Sequence, residues 1–193
     1  AADFACRSNY SSCTTEGSFT HGEFRFRGNF TSTRGTISAA RRASVSTGTL
    51  VVFDGQSPQE AHFDAGALDQ MRFADVTFDN PAGVTFADGN LPASGQVSVT
   101  TGSSLRILRS GALLVGGGID VDGGEIRQDV ERDNEVTGDV LVHDGGRLIL
   151  AGRLILTDQL DVSGASLIQA PAVVVSRRLP WVEVATSQYL VPS

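Results

Sequence analysis

From Gln96 to Val175 the chain is written in short apolar–polar alternations. Gln96–Thr100, Leu105–Leu108, Ala112–Val115, Ile119–Val121, Val140–Val142, Arg147–Leu150, Arg153–Leu156, Leu160–Val162, Ser166–Gln169 and Val173–Val175 each hold Leu or β-branched residues, punctuated by Gly, Asp and Ser. Alternation at period two is what a half-buried strand requires, and no 11-residue window sustains a helical period. The pieces are too short for a hairpin sandwich, whose strands of about 5–6 residues are joined by turns spaced roughly 8–12 residues apart.

The spacing of the pieces says more. Leu141, Leu148, Leu154, Leu160, Leu167 and Val173 step by 7, 6, 6, 7 and 6 residues. Three steps make 19 residues for Leu141–Leu160, Leu148–Leu167 and Leu154–Val173, and Ile107–Ile126 and Val121–Val140 repeat the interval. Three short faces per turn, with inward positions recurring every turn, predict an all-β parallel β-solenoid with 19-residue coils. Neighbouring coils would be separated by about 4.8 Å, the inter-strand spacing. Two departures are expected: a lateral loop over Asp129–Asp139 (DVERDNEVTGD), and a short helix from the capping box Ser57-Pro58-Gln59-Glu60 into Ala61–Met71.

Composition divides the chain. Leu, Ile, Val and Phe make up 53 of 193 residues, above the roughly 20% below which chains stay disordered. All ten Phe lie between Phe4 and Phe86, whereas 35 of the 43 Leu, Ile and Val follow residue 86. The expected organisation is a Phe-rich N-terminal cap region over 1–56, the solenoid over 57–176 and a tail over 177–193. The tail holds Trp181 and Tyr189, suited to capping the open strand edge of the last coil or docking on another molecule.

Residues 73–108 (FADVTFDNPAGVTFADGNLPASGQVSVTTGSSLRIL) carry the strings Asn80–Thr85, Gly95–Val99 and Thr101–Ile107. They resemble the β-strand repeats of large secreted bacterial surface proteins, the autotransporter passengers and filamentous-haemagglutinin-like adhesins. The spacing over 138–175 is also similar to that of bactofilins, cytoskeletal β-helices that polymerise end to end. The resemblance implies a right-handed β-helix and work in adhesion, surface display or filament formation.

Net charge is −7, from 22 acidic and 15 basic residues, all of the latter Arg. That balance disfavours nucleic-acid binding, and the missing Lys removes a Schiff-base nucleophile and a phosphate-loop Lys. No apolar run approaches the roughly 18 residues of a membrane span. Residues 1–42 nevertheless hold 6 Arg against 3 acids. In Glu23-Phe24-Arg25-Phe26-Arg27 the two Phe share one strand face and the two Arg the other. Arg25, Arg27, Arg34, Arg41 and Arg42 are a candidate patch for an acidic glycan or for the acidic half of a second copy, the plainer reading being a solvated Arg face.

Cys6 and Cys13 form a C-x6-C pair that fits no common zinc or redox motif. A short disulfide loop is the expectation, implying an oxidising, extracellular setting; two unpaired thiols are the alternative. The opening AADF lacks a basic and an apolar region, as in a mature secreted chain or a fragment of a longer one. Asn9-Tyr-Ser11 and Asn29-Phe-Thr31 are N-glycosylation sequons.

The most site-like string is Gly116–Glu125, GGGIDVDGGE. It is similar to calcium-binding nonapeptide repeats, which makes Asp120, Asp122 and Glu125 candidate ligands, although only one copy is present. The plainer reading turns both Asp outward while Ile119 and Val121 fill the core. Asp129–Asp144 counts like an EF-hand loop from Asp133, but the twelfth position is Asp144 where a Glu is needed. Among His21, His62 and His143, His62 with Asp64 could form a base–orienter pair, yet nothing marks a nucleophile or a paired acid and base. The expectation is a non-enzymatic, extracellular structural or adhesive solenoid without a required cofactor. Its partners would be copies of itself stacked head to tail, neighbouring repeats or surface glycans. The alternative is a carbohydrate-binding or carbohydrate-cleaving β-helix of the lyase or tailspike kind.

Overall fold

The computed structural model describes residues 4–8, 22–34, 49–63, 73–109, 111–176, 182–184 and 189–190. Cys13, Asp64, Arg41, Arg42 and Trp181 lie outside these residues, and with them the expected disulfide and the His62–Asp64 pair.

The described residues form strands joined by tight turns, with no helix. The chain begins with β1 (Phe4–Ser8), β2 (Gly22–Phe26), β3 (Phe30–Arg34), β4 (Thr49–Phe53) and β5 (Gln59–Phe63). Then come β6 (Asp75–Phe78), β7 (Val84–Asp88), β8 (Leu91–Ala93), β9 (Val97–Val99), β10 (Ser104–Ile107) and β11 (Leu113–Val115). They are followed by β12 (Ile119–Asp122), β13 (Glu125–Gln128), β14 (Asn134–Val136), β15 (Val140–His143), β16 (Arg147–Leu150) and β17 (Leu154–Leu156). The last are β18 (Leu160–Val162), β19 (Leu167–Gln169), β20 (Val173–Val175), β21 (Val182–Val184) and β22 (Tyr189–Leu190).

These strands wind into a parallel β-solenoid of about five turns. The first sheet runs β1-β3-β5-β7-β10-β13-β16-β19-β22, the second β2-β4-β6-β9-β12-β15-β18, and the third β8-β11-β14-β17-β20-β21. Two pairings are antiparallel: β21 lies on the outer edge of β20 and β22 on that of β19.

The coil is longer than the leucine spacing predicts. Turns lie about 21 residues apart, with partners such as Val76↔Val97, Leu105↔Ile126 and Val121↔Val142. Only late in the stack does the step shorten to 19 residues, at Leu154↔Val173. The predicted interval ran through Leu141 and Leu167, which are only half-buried beside the inward Val140 and Ile168, whereas Leu160, the register partner of Val140, packs on the core.

Two other expectations are corrected. Asp129–Asp139 is not a lateral loop, because Asn134–Val136 forms β14 in the third sheet with Asn134 and Val136 buried. Ser57–Glu60 starts no helix: Gln59 opens β5 and turns its amide into the interior. There it accepts from the Gly55 and Asn80 N–H groups and donates to the Phe26 and Gly28 carbonyls. A side chain that satisfies four groups at a corner outweighs the weak helical preference of four residues.

The core changes character along the axis. Phe26, Phe30, Phe53, Phe73, Phe78 and Phe86 pack together at the N-terminal end, with Phe53 stacked on Phe78 at 5.3 Å and 11°. Aliphatic columns follow, including Val76–Val97–Ile119–Val140 in the second sheet and Val84–Leu105–Ile126–Leu148–Ile168 in the first. Like residues stacked at the strand spacing bury one another completely, which closes the interior and leaves chemistry to the outer faces.

Candidate functional site

Because inward and outward residues alternate, the outer face is read by taking every second residue. In β12, Ile119 and Val121 are buried while Asp120 and Asp122 face out; in β15, Val140 and Val142 are buried while Leu141 and His143 face out. Register places Asp122 beside His143 on the next coil. The chain then turns through Asp144 and Gly145 in the left-handed region, at φ 54° and 83°. Asp tolerates this conformation better than most residues.

The result is one imidazole among three carboxylates. His143 Nε2 lies 2.9 Å from Asp120 Oδ1, and Nδ1 lies 3.0 Å from Asp144 Oδ2 and 3.7 Å from Asp122 Oδ1. Asp122, His143 and Asp144 each bring one ligand-type atom to within 4.8 Å of the others. Hydrogen bonding to Asp144 and then to Asp120 holds the imidazole above the ordinary histidine range, with partial burial pulling the other way. Of the three residues expected as calcium ligands, Asp120 and Asp122 come together here. Glu125 does not: it belongs to β13 on the first sheet and pairs with Arg147 at 3.2 Å.

The first sheet carries charges in coil-to-coil pairs. Arg106 and Arg127 both donate to Asp129, at 2.6 and 2.8 Å. Those bonds, Arg127's foremost, hold the Asp129 carboxyl below its usual range against partial desolvation. At the corner with the third sheet, Arg153 grips Asp133 with two N–H groups, which lowers that carboxyl too. His62 lies 3.3 Å from Asp88 and 3.2 Å from Glu60, and Arg109 donates to the same Asp88 at 2.6 Å.

Of the basic N-terminal residues, the described Arg25 and Arg27 share one acceptor. Arg25 pairs with Glu23 and, at 3.1 Å, with Asp54, which also takes Arg27 at 3.4 Å. Arg34 ends β3 on a different sheet. Cys6 belongs to β1, and Tyr189 to β22 beside Ile168. An open groove of about 1000 Å³ follows the turns between the third and second sheets, lined by residues including Thr137, Asp139, Thr157, Asp158 and Gln159.

No family model matches the chain, and neither a curated protein nor a solved structure does. The His143–Asp144 half of the carboxylate–imidazole cluster was missed from sequence, although one signal was available. Asp122 and His143 are 21 residues apart, one coil as observed; at the expected 19-residue step His143 falls opposite Gly124.

Proposed function

We propose that the chain is a non-enzymatic structural β-solenoid of an extracellular or cell-surface protein, a rigid rod that spaces or displays what it is joined to. The observation that carries this reading is the use made of the outer charges. Asp129, Asp133 and Asp88 each engage an Arg from another coil or turn, so these groups tie the stack together. They do not converge on one reacting atom. The likeness of 73–108 to surface-protein repeats supports the extracellular setting.

The terminal pairings bear on assembly. Parallel head-to-tail stacking of copies at the C-terminal end would displace β21 and β22, which cover the edges of two of the three sheets. A capped rod within a longer surface protein fits this geometry better than a filament subunit. The groove lined by Thr, Asp and Gln side chains favours a second role, binding glycan hydroxyls.

Sedimentation across a concentration series, electron microscopy and an assay on acidic polysaccharides test the proposal together. Short discrete rods without turnover are expected. Turnover that disappears in His62→Ala would replace the structural reading with an enzymatic one.

A further inference from the structure

A neutral imidazole has one N–H donor and one lone pair. Both ring nitrogens of His143 face carboxylates, Nε2 toward Asp120 and Nδ1 toward Asp144 and Asp122. Once Nε2–H donates to Asp120, Nδ1 faces two anionic oxygens, so it either carries a proton bonded to Asp144 or gives that proton up to a metal cation in the same place. The distances leave room for one. Nδ1 is 3.0 Å from Asp144 Oδ2 and 3.7 Å from Asp122 Oδ1, bracketing the roughly 3.3 Å edge of a tetrahedron with metal–ligand bonds of about 2.0 Å.

Asp120 supplies what a bare cluster of acids lacks. Metal-bound histidines characteristically give their other ring N–H to a carboxylate, which fixes the tautomer and aims the free nitrogen. Asp120 sits at 2.9 Å in that place. The nitrogen ligand also sets the class of ion, since imidazole suits the borderline transition metals while calcium takes six to eight oxygens. Three carboxylates around one imidazole suit a divalent charge.

We propose that Asp122 Oδ1, His143 Nδ1 and Asp144 Oδ2 bind a divalent transition-metal ion of the zinc class, with Asp120 as a positioning residue. The ion bridges β12 to the following coil at β15, so its binding staples two turns of the rod.

The test is titration of tag-free, chelator-stripped protein with zinc chloride by calorimetry at about pH 7.5, counting any proton that binding displaces from Nδ1, and with cobalt chloride by visible absorption. One ion per chain is expected, with cobalt d–d bands that zinc abolishes and calcium leaves unchanged. His143→Ala and Asp122→Asn should abolish saturable binding. Asp120→Ala should weaken it by roughly 10–100-fold, and Glu125→Gln should leave it unchanged. The proposal is overturned if the native chain takes up no zinc saturably, if His143→Ala binds as the native chain does, or if Glu125→Gln loses as much as Asp122→Asn.

Discussion

At the residue scale the informative positions are those where a polar side chain occupies an aliphatic column. Phe86, Ile107, Gln128 and Leu150 are register partners, as are Leu154 and Asn134, whose side chain takes the Leu113 N–H. Gln128 and Asn134 are both buried, and they satisfy one another: Asn134 donates to the Gln128 oxygen at 2.9 Å. Asn134 further accepts from Leu113 N at 2.9 Å, while Gln128 donates to the Gly111 carbonyl at 2.9 Å. The pair therefore closes the backbone at the corner between the first and third sheets, where the turn leaves groups that no ladder can use. Replacing Asn134 takes a donor from Gln128 and leaves the buried Leu113 N–H without its side-chain acceptor, so Asn134→Leu should lower stability by about 1–3 kcal/mol. Gln128→Leu combined with it should cost less than the two single changes added together. Denaturant midpoints for the four proteins of that cycle decide the matter; strict additivity would show that the two amides act independently.

At the element scale, much of the fold was legible because strand alternation is local, whereas the coil length was not, because two candidate periods differ by two residues and keep the same alternation. An odd shift of register would have turned the core outward and been visible; a shift of two keeps every strand amphipathic. The Asp129–Asp139 segment was misread for a related reason: its inward residues include Asn134, which reads as a loop residue until its four-group bonding is seen. Coil-to-coil charge pairs depend on the same phase. Arg106 and Arg127 are register partners that share Asp129. Because the folded Asp129 carboxyl lies below its unfolded value of about 3.9, its contribution is present above that pH and is lost as the pH falls through the folded value. Asp133 adds to the loss in the same direction. Thermal midpoints followed from neutral pH down to about pH 3 should fall less steeply in Asp129→Asn than in the native chain. Parallel curves would mean that the shared carboxylate contributes nothing at the surface.

At the scale of the whole molecule, the Phe cluster and the aliphatic stack are two kinds of core on one axis. In a solenoid each coil touches only its neighbours, so stability is a sum of local terms and a defect is felt nearby first. Phe53 is fully buried and meets five other rings, at centroid distances from 5.3 to 6.4 Å. Truncating it should cost about 3–5 kcal/mol, and hydrogen exchange should show where. In Phe53→Ala the amides of β4, β6 and β7 should lose protection, while those of β15, β16 and β17, several coils away and packed on aliphatic side chains, should keep most of theirs. Leu148→Ala should give the reverse pattern, because Leu148 is buried between Ile126 and Ile168 at the aliphatic end. If both variants lowered protection evenly from β4 to β17, the rod would be one cooperative unit, and a cap at one end would stabilise the other as strongly as its own neighbours.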